Sequence, residues 1–510
     1  MTEKLLPAKH RDLAIILLCL LGLVLAYHLG AAMKGHGRYR DQHLGTALHY
    51  AATQIDLRHT IIVGQNATET PTILELPVWQ MAAGLAFKLF GTWWGWANVV
   101  SLLLCLNCLY PLFRISREFY GERAAWWSII LFMSQGLVFY YAGEAGTDGL
   151  CLCLSVWFWF ACCRLLEEPG KWFLPAAALG ALLAVSKMPF FMATGLAALF
   201  LLLQVRGFKL LGLAVLAGVG AVSAIIFLLW NHYCESLQQS AVLPYMDLRF
   251  SGSTGGMSTM SWYFGDWHYR LNPGNWIKSA WRLASSTFGS FSLIALFVFA
   301  FGSRRIHPAA KYLVAGAFVT TLIFTHLILH HWHYLMMYSP AIAMLCAAAL
   351  VEIEKFFKTA GIASRLTTGT AAAIIFAALF QGLMTMRAFS FDVFPAATAA
   401  VIRAHTDPQD KLVIINGGWG GDQLIQAGRK GLSILDAGFF ENPDHRSELK
   451  QLGFNKLVIV SDSPFQTAIQ AVNPGQTGVR RGMAKDCVTP LLEKWPTVLA
   501  TDDVIIKDIP

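Results

Sequence analysis

Charge is what this chain has least of. Only 14% of its 510 residues are Asp, Glu, Lys or Arg, where a soluble domain carries about 25%. Apolar residues fill the deficit, at 55% of the chain and a mean hydropathy of +0.50. A water-soluble enzyme is excluded, and a polytopic α-helical membrane protein is indicated. The net charge of +8 does not point to nucleic acid, because in such proteins Lys and Arg gather at cytoplasmic helix ends. Nor is there a disulfide framework. Of the ten cysteines, only Cys487 lies in a polar stretch; the other nine sit in or beside apolar runs. Cys151, Cys153, Cys162 and Cys163 share one apolar run, where small apolar filling outweighs a metal site. The run from Leu13 to Ala32 lacks a small-x-small cleavage site and reads as a spanning helix. No internal repeat is seen.

What is present is a ladder of apolar segments. About 20 residues cross the hydrocarbon core, and about eleven spans are predicted: 12–32, 92–114, 123–142, 148–167, 171–187, 190–206, 210–234, 285–302, 309–329, 333–354 and 366–388. The run from Trp172 to Gln204 is too long for one crossing and is divided at Ser186-Lys187-Met188-Pro189. Alternate connections differ in charge. One set carries Arg114, Arg117 and Arg123, then Arg164 and Lys171, then Arg206 and Lys209, then Arg304, Arg305 and Lys311, then Lys355, Lys358 and Arg365. The other set, at 143–147, 186–189 and 330–333, carries only Lys187. The first set is therefore cytoplasmic. The N-terminus lies inside; the loops at 33–91 and 235–284 and the C-terminus lie outside. Lys34, Arg38 and Arg40 break the rule on the outer side, which suggests that they serve a site.

The first outer loop, Gly35 to Leu89, organises the chain. His43–Ile55 and Trp79–Phe90 show helical apolar spacing and read as interfacial helices. The second outer loop, Glu235–Arg282, is rich in Gly, Ser and aromatics, the composition of a mobile cover over a site. From Pro395 onward the pattern changes. Short apolar runs at 411–416, 456–460 and 503–507 alternate with helical stretches at 396–405, 421–429 and 444–452. This predicts an outer α/β domain over 395–510, after a membrane domain over 1–394. Gly417-Gly418-Trp419-Gly420-Gly421 is not G-x-G-x-x-G and has no Walker lysine, so it is a turn.

A few residues could carry chemistry. Asp41 could take a proton from an acceptor hydroxyl, or simply pair with Arg38 or Arg40. Glu75 opens an interfacial helix, where the helix dipole already favours an acid. Asp148 could be an N-cap or half of an acidic pair with Glu144. Lys187 interrupts an apolar stretch, which marks a functional site by default; its other reading is a lysine reaching the outer headgroups. His326, His330, His331 and His333 cluster at an outer helix end. Their spacing suits a metal, a bound phosphate or sugar, or plain packing, and no Glu-x-x-His or cysteine supports the metal.

Taken in order, these motifs resemble the GT-C fold of polyprenyl-phosphate-sugar-dependent glycosyltransferases, in particular the family 39 type: protein O-mannosyltransferases, the lipid A aminoarabinose transferase and their bacterial relatives. The resemblance covers roughly 12–390 and is strongest over 35–190. Arg40-Asp41-Gln42-His43 stands where the family has its acid after the first helix. Leu74-Glu75-Leu76-Pro77 stands where relatives carry Glu-Lys-Pro-Pro, without the lysine. Asp148 matches the acid of the second outer loop. Ser186-Lys187-Met188-Pro189 matches the family's Thr-Lys-Gly-Pro turn, and His333-Tyr334, before Leu335 to Pro340, matches the Tyr-x-x-x-x-x-Pro stretch that closes the donor pocket in the family.

The resemblance implies a multi-pass enzyme of the inner (cytoplasmic) membrane. Its active site and C-terminal domain would face the outer, periplasmic side. A polyprenyl-phosphate-linked sugar would be displaced directly, with inversion, onto a lipid, glycan or protein acceptor. Asp41 takes the place of the general base, with Glu75 as its rival. Arg38, Arg40, Asp148, Lys187, His331, His333 and Tyr334 become substrate-binding residues, the cations meeting the departing phosphate. No metal site and no cofactor are assigned, although the chemistry tolerates a divalent cation. Two other classes compete: a lipid-linked-sugar flippase or transporter, and a non-catalytic sugar-binding membrane protein.

Overall fold

The computed structural model describes residues 11–33, 41–57, 75–93, 95–205, 210–239, 263–359, 364–387, 394–415, 422–434, 440, 442–460, 490–501 and 504–510. Among them, the first ten α-helices are α1 (Arg11–Met33), α2 (Asp41–Ala52), α3 (Val78–Phe90), α4 (Gly95–Leu106), α5 (Leu109–Tyr120), α6 (Glu122–Ser134), α7 (Gly136–Ala142), α8 (Asp148–Glu167), α9 (Pro169–Val205) and α10 (Leu210–Gln239). The chain forms two compact units. One comprises 1–33, 98–232 and 257–388; the other comprises 34–97, 233–256 and 389–510. Residues 34–97 thus group with the C-terminal α/β domain.

The first unit is the membrane domain of a multi-pass protein. Among the described residues, seven helices are long and apolar enough to cross a bilayer, or nine when two bent pairs each count as one crossing. The eleven predicted spans are each occupied by helix, and the count differs for two physical reasons. Ala309–Ile323, with 15 residues, is about 22 Å long and short for a crossing. The segments predicted at 171–187 and 190–206 form the single helical run α9, with one non-helical residue inside it. That residue is Lys187, at φ −157° and ψ 97°. Unbroken, the 37 residues of α9 would reach about 55 Å; the break divides them into two lengths near the bilayer thickness. Phe158 of α8 meets residues on both sides of it: Gly180 before the break, and the ring of Phe191 after it at 5.5 Å.

Lipid offers helices no hydrophobic reason to associate, so close packing of small residues holds them. A β-carbon built on Gly136 of α7 would lie 2.5 Å from the carbonyl carbon of Gly382 in the helix Ser364–Arg387. Arg123 of α6 forms an ion pair with Glu354 of the helix Ser339–Thr359. The same guanidinium donates to Thr368 Oγ1 at 3.1 Å, which ties three helices together at one end.

In the second unit, α2 and α3 lie close to the two interfacial helices predicted from spacing. They cross tightly: a β-carbon on Gly84 would lie 2.8 Å from Tyr50 Cβ. Trp79, Ala83 and Phe87 face inward, whereas Leu85, Leu89 and Phe90 are exposed, as an interfacial helix requires. α2 also touches the helix Asp422–Ala427 of the α/β domain. That domain has a five-stranded sheet of β1 (Lys411–Ile415), β2 (Lys430–Ile434), β3 (Lys456–Val460), β4 (Thr497–Ala500) and β5 (Val504–Asp508). The strand order is β2-β1-β3-β5-β4. β1 pairs in parallel with β2 and β3, and β5 runs antiparallel to β3 and β4. Both faces are covered. Val413, Ile415, Leu457 and Ile459 meet Phe440, Leu449 and Trp495. Leu412, Ile414, Val458 and Val460 meet Ala399, Ile402 and Leu424. Burial on both sides explains why these strands read as unbroken apolar runs. β2 and β4 escaped prediction, because Lys430-Gly431-Leu432-Ser433-Ile434 and the mostly exposed β4 have no such run. The Gly-rich turn at 417–421 lies outside the described residues.

Candidate functional site

Asp148 is the first residue of α8, and Lys187 is the break in α9. Their side chains form an ion pair, Lys187 Nζ donating to Asp148 Oδ1, with 3% of each side chain exposed. This position rules out a lysine reaching into the headgroups and an acid that merely caps in water. A charge pair this dry persists only with close geometry and further partners. One such partner is the ring of Tyr334, with Lys187 Nζ 5.2 Å from its centroid, a cation–π contact strengthened by desolvation.

From Tyr334 a strip of rings leads onward. His333 packs on Tyr334 at 4.4 Å and meets Tyr141 at 6.1 Å. His331 lies 5.3 Å from His333, and His330 lies 4.9 Å from His331. The Lys187 break, α8, the helix Thr325–His330 and the 3₁₀ turn Trp332–Tyr338 therefore bring together Asp148, Lys187, His331, His333 and Tyr334, all five predicted from sequence.

The strip ends on a residue that sequence reasoning passed over. Arg282 lies on the helix Pro273–Leu283, inside the stretch read as a loop. Two short helices form there because Asp266 and Asn272 cap them, accepting from Tyr269 N and Gly274 N. The second is inverted for a soluble protein: Ile277 and Trp281 are exposed, while Arg282 is buried. Arg282 donates to Leu329 O at 2.8 Å and lies 5.0 Å from the centre of the Trp332 ring. Its Nε is buried with no hydrogen-bond partner among the described residues. A buried guanidinium with a spare donor suits an anion. His330 beside it is pushed down to about 4, first by burial and then by the positive neighbours His326, Arg282 and Lys278. The signal in the sequence was Trp276, Ile277 and Trp281 recurring at helical spacing around Arg282.

His326 and His330 stack on each other at 5.4 Å, and His326 also packs on Tyr269 at 4.5 Å. Among the described residues, no three His, Cys, Asp or Glu side chains are grouped to hold a metal ion. Asp41 and Glu75 belong to the other unit. Asp41 opens α2. Glu75 is half-buried just ahead of α3, whose N-cap is Pro77. In the same helix pair His43 Nδ1 and Gln80 Nε2 are 2.6 Å apart. Arg38 and Arg40 lie outside the described residues.

No protein-family model matches the sequence, and no curated protein matches it. Solved structures do. ArnT from Cupriavidus metallidurans, bound to undecaprenyl phosphate, superposes with a TM-score of 0.62 at 12% identity, covering 96% of this chain and 98% of that one. The oligosaccharyltransferase of Archaeoglobus fulgidus in its apo form superposes with a TM-score of 0.57 at 13% identity, covering 89% of this chain and 70% of that one. The likeness is one of fold, and it is the fold that the outer-loop motifs led us to expect.

Proposed function

We propose that this protein is an integral-membrane glycosyltransferase that moves a sugar from a polyprenyl-phosphate carrier to an acceptor on the outer side of the membrane. The observation that carries this reading is the fold shared with ArnT over nearly the whole of both chains, ArnT having been solved with undecaprenyl phosphate bound. The site supports it. Fixed cations and aromatic rings lie between apolar helices, where a lipid-linked phosphate can arrive without leaving the bilayer.

In this reading Arg282 and Lys187 meet the donor phosphate, and His331, His333 and Tyr334 line its sugar. Arg282 has a donor to spare. Lys187 is already tied to Asp148, so its share of the phosphate is limited, and Asp148 fixes where the ammonium stands. Arg38 and Arg40 are proposed as further phosphate ligands. Displacement at the anomeric carbon needs the acceptor hydroxyl deprotonated as the carbon–oxygen bond forms. Asp41 is proposed as that base, with Glu75 the alternative. The leaving group is the polyprenyl phosphate, which cations stabilise as its charge grows. A single displacement inverts the anomeric centre. The charge asymmetry supports an inner-membrane protein with its site and α/β domain outside; the acceptor is a lipid, a glycan or a protein.

The test is purified protein in vesicles with a radiolabelled polyprenyl-phosphate sugar. Transfer to an acceptor, or slow hydrolysis without one, is expected. Movement of the labelled lipid across the bilayer with no transfer would instead identify a flippase.

A further inference from the structure

A second charged site lies at the far end of α8. Sixteen residues of helix separate Asp148 from Arg164, about 24 Å, so a ligand there cannot take part at the Asp148–Lys187 pair. The site is a cavity of about 360 Å³ between the ends of α5 and α8, lined by Arg114, Arg117, Glu118, Arg164 and Glu167. Arg164 is spoken for: it bridges Glu118 at 2.8 Å and Glu167 at 2.9 Å. Arg114 donates to Tyr110 Oη at 2.7 Å, and no other hydrogen bond of its fork is seen among the described residues. Arg117 is exposed, with no ion pair among the described residues. The three guanidinium groups and two carboxylates of the lining leave one positive charge.

The surface running away from this cavity is mainly apolar and faces outward. Leu103 is 63% exposed and Tyr110 is 54% exposed, and the indole of Trp157 stands 5.9 Å from the Tyr110 ring. Leu103, Asn107, Tyr110, Arg114 and Arg117 follow helical spacing along the α4–α5 run, Asn107 accepting from Trp157 Nε1 at 2.6 Å, so a mainly apolar stripe ends in two arginines. An acyl chain fits the stripe, an aromatic belt marks the headgroup level, and the arginine forks suit a phosphate.

We propose that this cleft binds the phosphate of an anionic phospholipid of the inner leaflet. The single excess positive charge matches a phosphodiester monoanion. Arg114 and Arg117 hold the phosphate, and Arg164 with its two carboxylates forms the rigid floor. The bound lipid clamps the ends of α5 and α8 together and plays no part in transfer.

The test is native mass spectrometry of the full-length protein, titrated with phosphatidylglycerol and with phosphatidylcholine of the same chains. Phosphatidylglycerol should bind at least tenfold more tightly. Arg114→Gln/Arg117→Gln should abolish that preference, a loss of roughly 30-fold at about 1 kcal/mol per arginine. Arg114→Lys/Arg117→Lys should keep part of it, since charge is retained and the fork is lost. Soluble glycerol 3-phosphate should fail to compete, because it lacks the chain that lies on Leu103 and Tyr110; effective competition would mean a free-phosphate site and overturn the lipid. Equal binding of the two lipids by the unaltered protein would overturn the proposal however the variants fold, and so would a preference that survives in the double glutamine variant.

Discussion

Lys187→Met tests whether the Asp148–Lys187 pair is as dry as its geometry states. Methionine keeps the length and apolar stem of lysine and removes the charge. Asp148 then lies with 3% of its side chain exposed and its cation gone. Breaking a buried pair from one side costs about 3–5 kcal/mol, because a desolvated charge loses its partner. A lysine in the headgroup layer would cost less than about 1 kcal/mol. The two readings of Lys187 thus differ by a margin that an unfolding experiment resolves. The double variant Asp148→Asn/Lys187→Met removes both charges, and most of the loss should return, since a neutral pair of similar volume is tolerated far better.

The protein carries its own reporter. Cys105, Cys108, Cys153, Cys162, Cys163 and Cys346 of the membrane unit are free and buried. In a Cys234→Ser/Cys487→Ser background, a thiol-reactive fluorophore added during heating in detergent therefore reads unfolding of the membrane unit, above a baseline from exposed Cys19. Lys187→Met should unfold at a clearly lower temperature than the parent, and the double variant should lie between them. If Lys187→Met melts with the parent, or if the double variant melts below Lys187→Met, the argument from burial is wrong.

Further outcomes are expected. Gly136→Ala should destabilise by about 1–3 kcal/mol through overpacking against Gly382, read in the same thiol assay. A native pKa of about 4 for His330, against about 6.5 unfolded, means that the unfolded state binds the extra proton. Stability is therefore full above about pH 6.5 and falls as pH drops toward 4, by at most about 3 kcal/mol, and His330→Gln should flatten that slope. Asp41→Asn should lower turnover roughly 100-fold with donor affinity unchanged, while Glu75→Gln should turn over nearly normally; the reverse pattern moves the base to Glu75. A thiol reporter at residue 433 should label only from the outer face, and labelling only from inside would overturn the orientation.

The spans were legible because lipid removes ambiguity: a backbone in hydrocarbon must bond to itself, so length and apolarity nearly determine the element. The break at Lys187 was legible for a related reason, since a charge followed by proline two residues on is hard to place in one straight apolar helix. Asp148 and Lys187 could each be singled out, but their pairing could not. Nothing in the spacing of two residues 39 apart shows that a helix start and a helix break meet. The α/β domain was half legible. Strands buried on both faces announced themselves, and exposed or glycine-bearing edge strands did not.

Arg282 shows where such reading fails and how it could succeed. The stretch around it reads as a loop because Gly, Ser and aromatics dominate Glu235–Arg282 as a whole. Averaging over that length hid a helix of 11 residues, Pro273–Leu283, with two local signals. Asn272 and Pro273 form a helix start, the asparagine capping and the proline at the first position. Ile277 and Trp281 then recur four apart, with Arg282 beside them rather than opposite. In a soluble protein that pattern would bury the apolar pair and expose the arginine. Next to lipid the preference inverts: the outside is the apolar solvent, and a charge turned inward needs a partner of its own. Carbonyl oxygens of Leu329 and His330 supply part of it, and the unsatisfied Nε leaves room for an anion. An arginine adjacent to the apolar stripe of a capped helix near an apolar span is therefore better read as facing protein than as facing water.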